Sequence, residues 1–203
     1  MEKKMGAKLK NSCVDEYQKI IFEVNKATNN IKNYIKNNNQ NTKEFFIQVL
    51  SDVEEVCDCW TGSTYVGQSK RQDLKNAYQD FFSNLMKMLL LCKTNNNQCE
   101  NAAAKALLYQ GKVYRYLGYG FSSSRKKKAI KPDYDGVYVS WSKDPKNGYI
   151  ESKLYGEMTW IEAEIKSPYF GIDLDAMGSS VGNEREVVFP TLKDCVIKIE
   201  YKR

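Results

Sequence analysis

The chain has 203 residues, 42% of them hydrophobic, which is enough for one sizeable core or two small ones. Its formal charge of +6 is modest and scattered apart from the run Arg125, Lys126, Lys127 and Lys128, so nucleic-acid binding has little to rest on. Histidine is absent, which excludes Ser-His and Cys-His nucleophile pairs, His-ligated metals and imidazole acid–base chemistry. Any catalysis must then come from carboxylates, hydroxyls, Lys, Arg or a bound cosubstrate.

In chain order, Met1 to Lys10 is charged rather than apolar and lacks the pattern of a secretory signal. From Cys13 to Ile35, Val14, Tyr17, Ile20, Ile21, Val24, Ile31 and Ile35 recur at helical spacing and predict a long amphipathic helix. The Asn-rich "KNNNQN" ends it. Phe45, Phe46, Val49, Leu50, Val53, Val56 and Trp60 predict a second helix, followed by a Gly/Ser/Thr loop from Gly62 to Ser69. Leu74, Ala77, Tyr78, Phe81, Phe82, Leu85, Met86 and Leu89 predict a third; "TNNNQ" closes it, and an Ala-rich fourth runs from Cys99 to about Gln110. Leu85 to Cys92 is far short of the roughly 20 apolar residues of a membrane span. Six cysteines are too few for a dense disulfide framework, so a soluble protein with reduced thiols is expected. Cys57 and Cys59 have C-x-C spacing but no matching second pair, and no metal is expected.

After Gly111 the chain turns to short β-type runs divided by Gly, Pro, Asp and Asn: "KVYRYLGYG", "DGVYVSWS", "MTWIEAEIKS", "EREVVFP" and "CVIKIEY". Helices followed by strands predict an α+β protein, with residues 1–110 as a helical layer and residues 111–203 as a β-rich core. No Pro- or Gly/Ser-rich linker separates them, which predicts one compact domain.

"YLGYGF" has no third glycine in register and no helix after it, which argues against a dinucleotide fingerprint, and no P-loop sequence occurs. Three features of the β-rich half stand out: Arg115 in "VYRYLG", Ser140 and Ser142 in "GVYVSWSKDP", and Glu184 and Glu186 in "GNEREVVFP". Strand alternation would place Glu184 and Glu186 on one face and Arg185 on the other. Two carboxylates so close raise each other's proton affinity unless they are solvated or used on a cation. Each feature also has an ordinary explanation: a strand arginine pairs with a carboxylate, strand-end serines satisfy backbone groups, and E-x-E lies on the wet face of a sheet.

In order and spacing these segments resemble the Arg-Ser-Glu class of mono-ADP-ribosyltransferases, which includes clostridial exoenzymes, enzymatic components of binary toxins and cholera-toxin-like enzymes. In that class an arginine on an early strand precedes a Ser-Thr-Ser-like strand, then a loop ending in E-x-E or Q-x-E and an apolar strand closing on proline. The counterparts here are Arg115, "YVSWSKDP" and "YFGIDLDAMGSSVGNEREVVFP", with Trp141 where the family has threonine. The resemblance covers Val113 to Tyr201; the helices ahead match in placement, as the clostridial exoenzymes also carry a helical layer before the arginine strand.

The resemblance implies a helical layer on a mainly antiparallel β-sandwich, NAD as cosubstrate, no metal, and a reaction that cleaves the nicotinamide–ribose bond through an oxocarbenium-like cation, as glycosidases do. It assigns Glu186 as the catalytic carboxylate on the ribose 2′-hydroxyl and the developing charge, and Glu184 as the group that orients and deprotonates the acceptor. Arg115 becomes a bidentate clamp on the diphosphate, Ser140 a hydrogen-bond partner that aims Glu186, and Ser142 part of the same NAD site, with Ser122, Ser123 and Ser124 as further serine candidates. Tyr149, Tyr169 and Phe170 are candidates to stack on nicotinamide. E-x-E implies arginine as acceptor; a threonine or other hydroxyl is the alternative. The implied target is a host protein such as a small GTPase, actin or ubiquitin, reached by a monomeric bacterial effector or toxin delivered to the host cytoplasm or secreted without a recognisable signal. An NAD glycohydrolase and a non-catalytic protein-binding module are the competing readings.

Overall fold

The computed structural model describes residues 2–62, 72–117, 137–145, 158–179, 185–190 and 192–202. The chain is α+β, as its pattern predicts, and divides into two compact units, Met1–Met88 and Leu89–Arg203.

The first unit is helical. Helix α1 (Glu2–Lys36) and helix α2 (Lys43–Gly62) form a hairpin through a 3₁₀ turn at Asn38–Gln40. Val24, Ala27, Thr28, Ile31 and Tyr34 recur at helical spacing on α1 and are buried, as are Phe46, Val49, Val53, Val56 and Cys57 on α2. The Asn-rich tract between them supplies caps: Asn41 Nδ2 donates to Tyr34 O at 2.7 Å, and Thr42 Oγ1 accepts from the Phe45 amide at 3.1 Å. Helix α3 (Gln72–Thr94) brings an aromatic cluster to this unit, with Trp60 4.9 Å from Tyr78 and 5.1 Å from Phe82 between ring centroids. A polar seam runs through the same unit, where Asn30 Nδ2 donates to Asp52 Oδ2 at 2.6 Å and Lys32 pairs with Asp80 at 2.8 Å. No helix among the described residues is long and apolar enough to cross a membrane.

The second unit contains helix α4 (Gln98–Leu107) and the strands found among the described residues: β1 (Leu108–Tyr109), β2 (Gly111–Leu117), β3 (Tyr138–Ser142), β4 (Met158–Ile165), β5 (Gly171–Asp173), β6 (Glu186–Pro190) and β7 (Val196–Lys202), with a one-turn helix α5 (Leu174–Met177) after β5. The second Asn tract caps α4, the Asn97 side chain accepting from the amides of Cys99 and Glu100. The strands form one seven-stranded sheet in the order β1-β5-β6-β3-β2-β4-β7, and every pairing is antiparallel. The sequence pattern misses β1, β5 and α5.

Cross-strand register divides the sheet into two faces, because directly opposed residues share a face. One face carries the main core: Val113, Trp141, Ile161, Ala163, Ile165, Val187 and Phe189, closed by Cys195. The other carries Ser140, Ser142, Val188, Glu186 and Ile172 toward the β5 side, and Tyr114, Lys112, Glu162 and Glu164 toward the β4 side. Gly171 lets β5 approach closely: a Cβ there would lie 2.6 Å from Val187 Cγ1 and 3.0 Å from Ile165 Cδ1.

Candidate active site

The three segments singled out in the sequence meet on adjacent central strands, Glu186 on β6, Ser140 and Ser142 on β3, and Arg115 on β2. The register forms a transverse row: Glu186 is opposite Ser142, Ser142 opposite Tyr114, and Tyr114 opposite Glu162. Glu186, Ser142, Tyr114 and Glu162 therefore share one face across four neighbouring strands. Glu186 is only 3% exposed, which makes it a buried carboxylate rather than part of a wet face. Glu162 is ion-paired to Lys112 at 2.8 Å.

Several expected roles change. Ser140 is opposite Val188, two pairs along the ladder from Glu186, so Ser142 and not Ser140 is the serine across from the carboxylate. The Ser142 hydroxyl also closes a local turn, accepting from the Asp144 amide at 2.9 Å and donating to Asp144 O at 3.0 Å. Arg115 is opposite Ile161, on the core face and away from Glu186, and its Nη1 donates to Ser140 O at 3.0 Å. One guanidinium nitrogen thus ties β2 to β3, and the register puts Arg115 on the face away from Glu186. Trp141, alternating with Ser140 and Ser142, is buried in the core on that same opposite face. A large residue in the middle of the Ser-x-Ser strand therefore leaves the Glu186 face undisturbed.

The expected shared strand face of Glu184 and Glu186 rests on alternation, and the described strand does not reach back to Glu184. Arg185 has φ 48°, in the left-handed region, and β6 begins at Glu186, so alternation cannot be carried back across Arg185. Glu184 itself lies outside the described residues, as do Tyr149, Ser122, Ser123, Ser124 and the basic run Arg125 to Lys128. Tyr169 and Phe170 precede β5. Because Ile172 pairs with Val188 and Asp173 with Val187, the register carries them toward the Pro190 end of β6, away from Glu186. Lys93 Nζ sits 4.0 Å over the Phe170 ring, and Tyr169 O accepts from Gln110 Nε2 at 2.8 Å. Neither position suits a ring stacked beside Glu186.

The sequence reading misses an ionic cluster next to Glu186. Lys143, immediately after Ser142, donates through Nζ to both carboxylate oxygens of Asp173 at 2.9 Å and pairs with Asp175 at 2.8 Å. Its amide donates to Arg185 O at 3.0 Å, and Arg185 Nε lies 3.6 Å from Asp175. The side chains of Lys143 and Asp173 are 12% and 10% exposed. Burial works against the Lys143 charge, but the hydrogen bonds to Asp175 and Asp173 and their fields outweigh it and hold the ammonium above its ordinary range. The Lys143 hydrogen bond holds the Asp175 carboxyl below its own. The available signal was "GIDLD": an Asp directly before a one-turn helix is an N-cap, and Asp173 accepts from the Ala176 amide at 3.0 Å.

In comparison with known proteins, the chain matches no family model, no curated protein and no solved structure.

Proposed function

We propose that this protein is an NAD-dependent mono-ADP-ribosyltransferase of the Arg-Ser-Glu type. The observation that carries this reading is Glu186: a buried carboxylate at the first position of a central strand, directly opposite Ser142, with the strand of Arg115 next in line. Those are the three segments on which the family resemblance rests, and they are far apart in the chain. A fixed carboxylate in a low-dielectric setting stabilises positive charge that develops as the nicotinamide–ribose bond breaks, which is where stabilisation lowers a barrier.

The residues present suit the ribose better than the diphosphate. Ser142 and Tyr114 bring hydroxyls to the Glu186 face, where a ribose hydroxyl can be held. Among the described residues near it, Lys112 is paired with Glu162, Lys143 with Asp173 and Asp175, and Arg115 with the Ser140 carbonyl. In this scheme Glu186 bears on the ribose and its developing cation, Ser142 adjoins it, Arg115 fixes the β2–β3 frame, and Glu184 acts on the acceptor, for which arginine is the first candidate.

The test is incubation of wild type and Glu186→Gln with labelled NAD and a eukaryotic lysate. A discrete labelled band present only with wild type supports the transferase and identifies the acceptor by mass spectrometry. Nicotinamide release without a band indicates a glycohydrolase. Neither product, with no NAD-dependent change in melting temperature, favours a non-catalytic binding module.

A further inference from the structure

The chain enters β6 through Arg185, a non-glycine residue in the left-handed region. An L-residue does not adopt that conformation without support, and the next residue is Glu186. Whatever holds Arg185 therefore decides where the Glu186 carboxylate points.

Among the described residues, the support comes from Lys143, through its amide and its side chain, and from Asp175. The Lys143 amide donates to Arg185 O at 3.0 Å, directly beyond the last register pair, Ser142 with Glu186. Lys143 Nζ reaches the β5–α5 corner, where it is shared by Asp173 and Asp175. Asp173 is itself fixed, since it ends β5 and caps α5. Asp175 meets the Arg185 guanidinium at 3.6 Å. One lysine thus joins the end of β3, the β5–α5 corner and the entry to β6. An ammonium between two carboxylates, with little exposure, has few other places to go; removing it leaves like charges facing each other.

We infer that Lys143, with Asp173 and Asp175, is a positioning residue that holds the Arg185 corner and so aims the Glu186 carboxylate. Its catalytic consequence rests on the transferase reading; its structural consequence does not. Lys143 keeps its distance from chemistry, because its ammonium is engaged by two carboxylates and takes no part in bond cleavage.

The experiment has two readouts on wild type, Lys143→Met, Lys143→Arg and Asp175→Asn. The first is amide hydrogen exchange of residues 185–188 under native conditions. Lys143→Met should lose about 10-fold or more of its protection there while the β4 amides keep theirs, Asp175→Asn should lose less, and Lys143→Arg should recover most of it. The second is steady-state nicotinamide release from NAD. Lys143→Met should lower kcat about 10- to 100-fold with KM for NAD within about two-fold, as expected when a group is misaimed rather than substrate binding lost. Unchanged protection at 185–188 in folded Lys143→Met overturns the inference. Should Lys143→Met fail to fold, the half-exposed partner decides: Asp175→Asn with wild-type exchange at 185–188 overturns it equally. Nicotinamide release absent from wild type overturns the transferase reading alone, and exchange then judges the corner by itself; wild-type kcat alongside altered exchange overturns the link between corner and catalysis.

Discussion

Ser142 and Glu186 are cross-strand partners at the end of β3 and the start of β6, and Glu186 is buried there at 3% exposure. A carboxylate so placed is part of the packing as well as of the site, so the informative substitution is the isosteric one. Glu186→Gln keeps the volume and removes the charge, and should lower NAD cleavage and transfer together by about 10²- to 10³-fold. Thermal unfolding should show a cooperative folded protein. Full activity in a folded Glu186→Gln variant would remove the carboxylate from the mechanism. Glu186→Ala is the poorer probe, because it also opens a cavity.

Arg115 separates two roles that a sequence cannot. As a tie, its guanidinium donates to the Ser140 carbonyl across β2 and β3. A hydrogen bond from a charged group contributes about 2 kcal/mol. Arg115→Ala should therefore lower the midpoint of urea unfolding by about that free energy or more. NAD affinity, measured by calorimetry on whatever fraction is folded, should change little. A variant of wild-type stability that no longer binds NAD would instead restore the diphosphate clamp.

Gly171 shows how tightly β5 is set against the core. The added methyl of Gly171→Ala would meet Val187 Cγ1 at 2.6 Å and Ile165 Cδ1 at 3.0 Å, both within a packed cluster. Overpacking of this kind costs about 1–3 kcal/mol. The change should appear as a reduced unfolding midpoint in denaturant with an unchanged slope. A neutral result would mean that β5 can shift away from β6.

What the sequence discloses follows the range of each signal. Val24 and Ile31, within the run Val14, Tyr17, Ile20, Ile21, Val24, Ile31 and Ile35, repeat at helical spacing and are buried, and that local periodicity suffices to find α1. The Asn tracts read as breaks; that Asn41 and Asn97 act as caps depends on side-chain geometry at the helix ends. Strand β5 has only Gly171, Ile172 and Asp173, too few to display alternation, and all three are buried. The site was legible as segments but not as contacts. Whether Ser140 or Ser142 stands across from Glu186 is fixed by a register set between distant strands; the two share a face, and only a two-residue shift would exchange them. The expectation of a shared face for Glu184 and Glu186 comes from strand alternation, which reaches back only to Glu186, because Arg185 is in the left-handed region and that conformation has no signature in an arginine.

The pairing of Lys143 with Asp175 gives stability a pH dependence whose direction can be worked out. The Lys143 hydrogen bond lowers the folded-state Asp175 carboxyl from its ordinary 3.8, so its contribution is present above that value and lost as pH falls through the folded value beneath it. For Lys143, burial opposes the charge but the two carboxylates prevail, and the folded-state value is raised above 10.5. Its contribution is complete below 10.5 and lost as pH rises past the folded value. Wild type should therefore exceed Asp175→Asn in urea midpoint by a constant margin between about pH 5 and pH 9. That margin should shrink below pH 3.8, as the wild-type carboxylate becomes protonated and resembles the amide. It should also shrink above pH 10.5, as the ammonium is neutralised. Circular dichroism at several pH values measures the margin directly. A margin that persists undiminished into strong acid would show that Asp175 stabilises the corner by packing, without its charge.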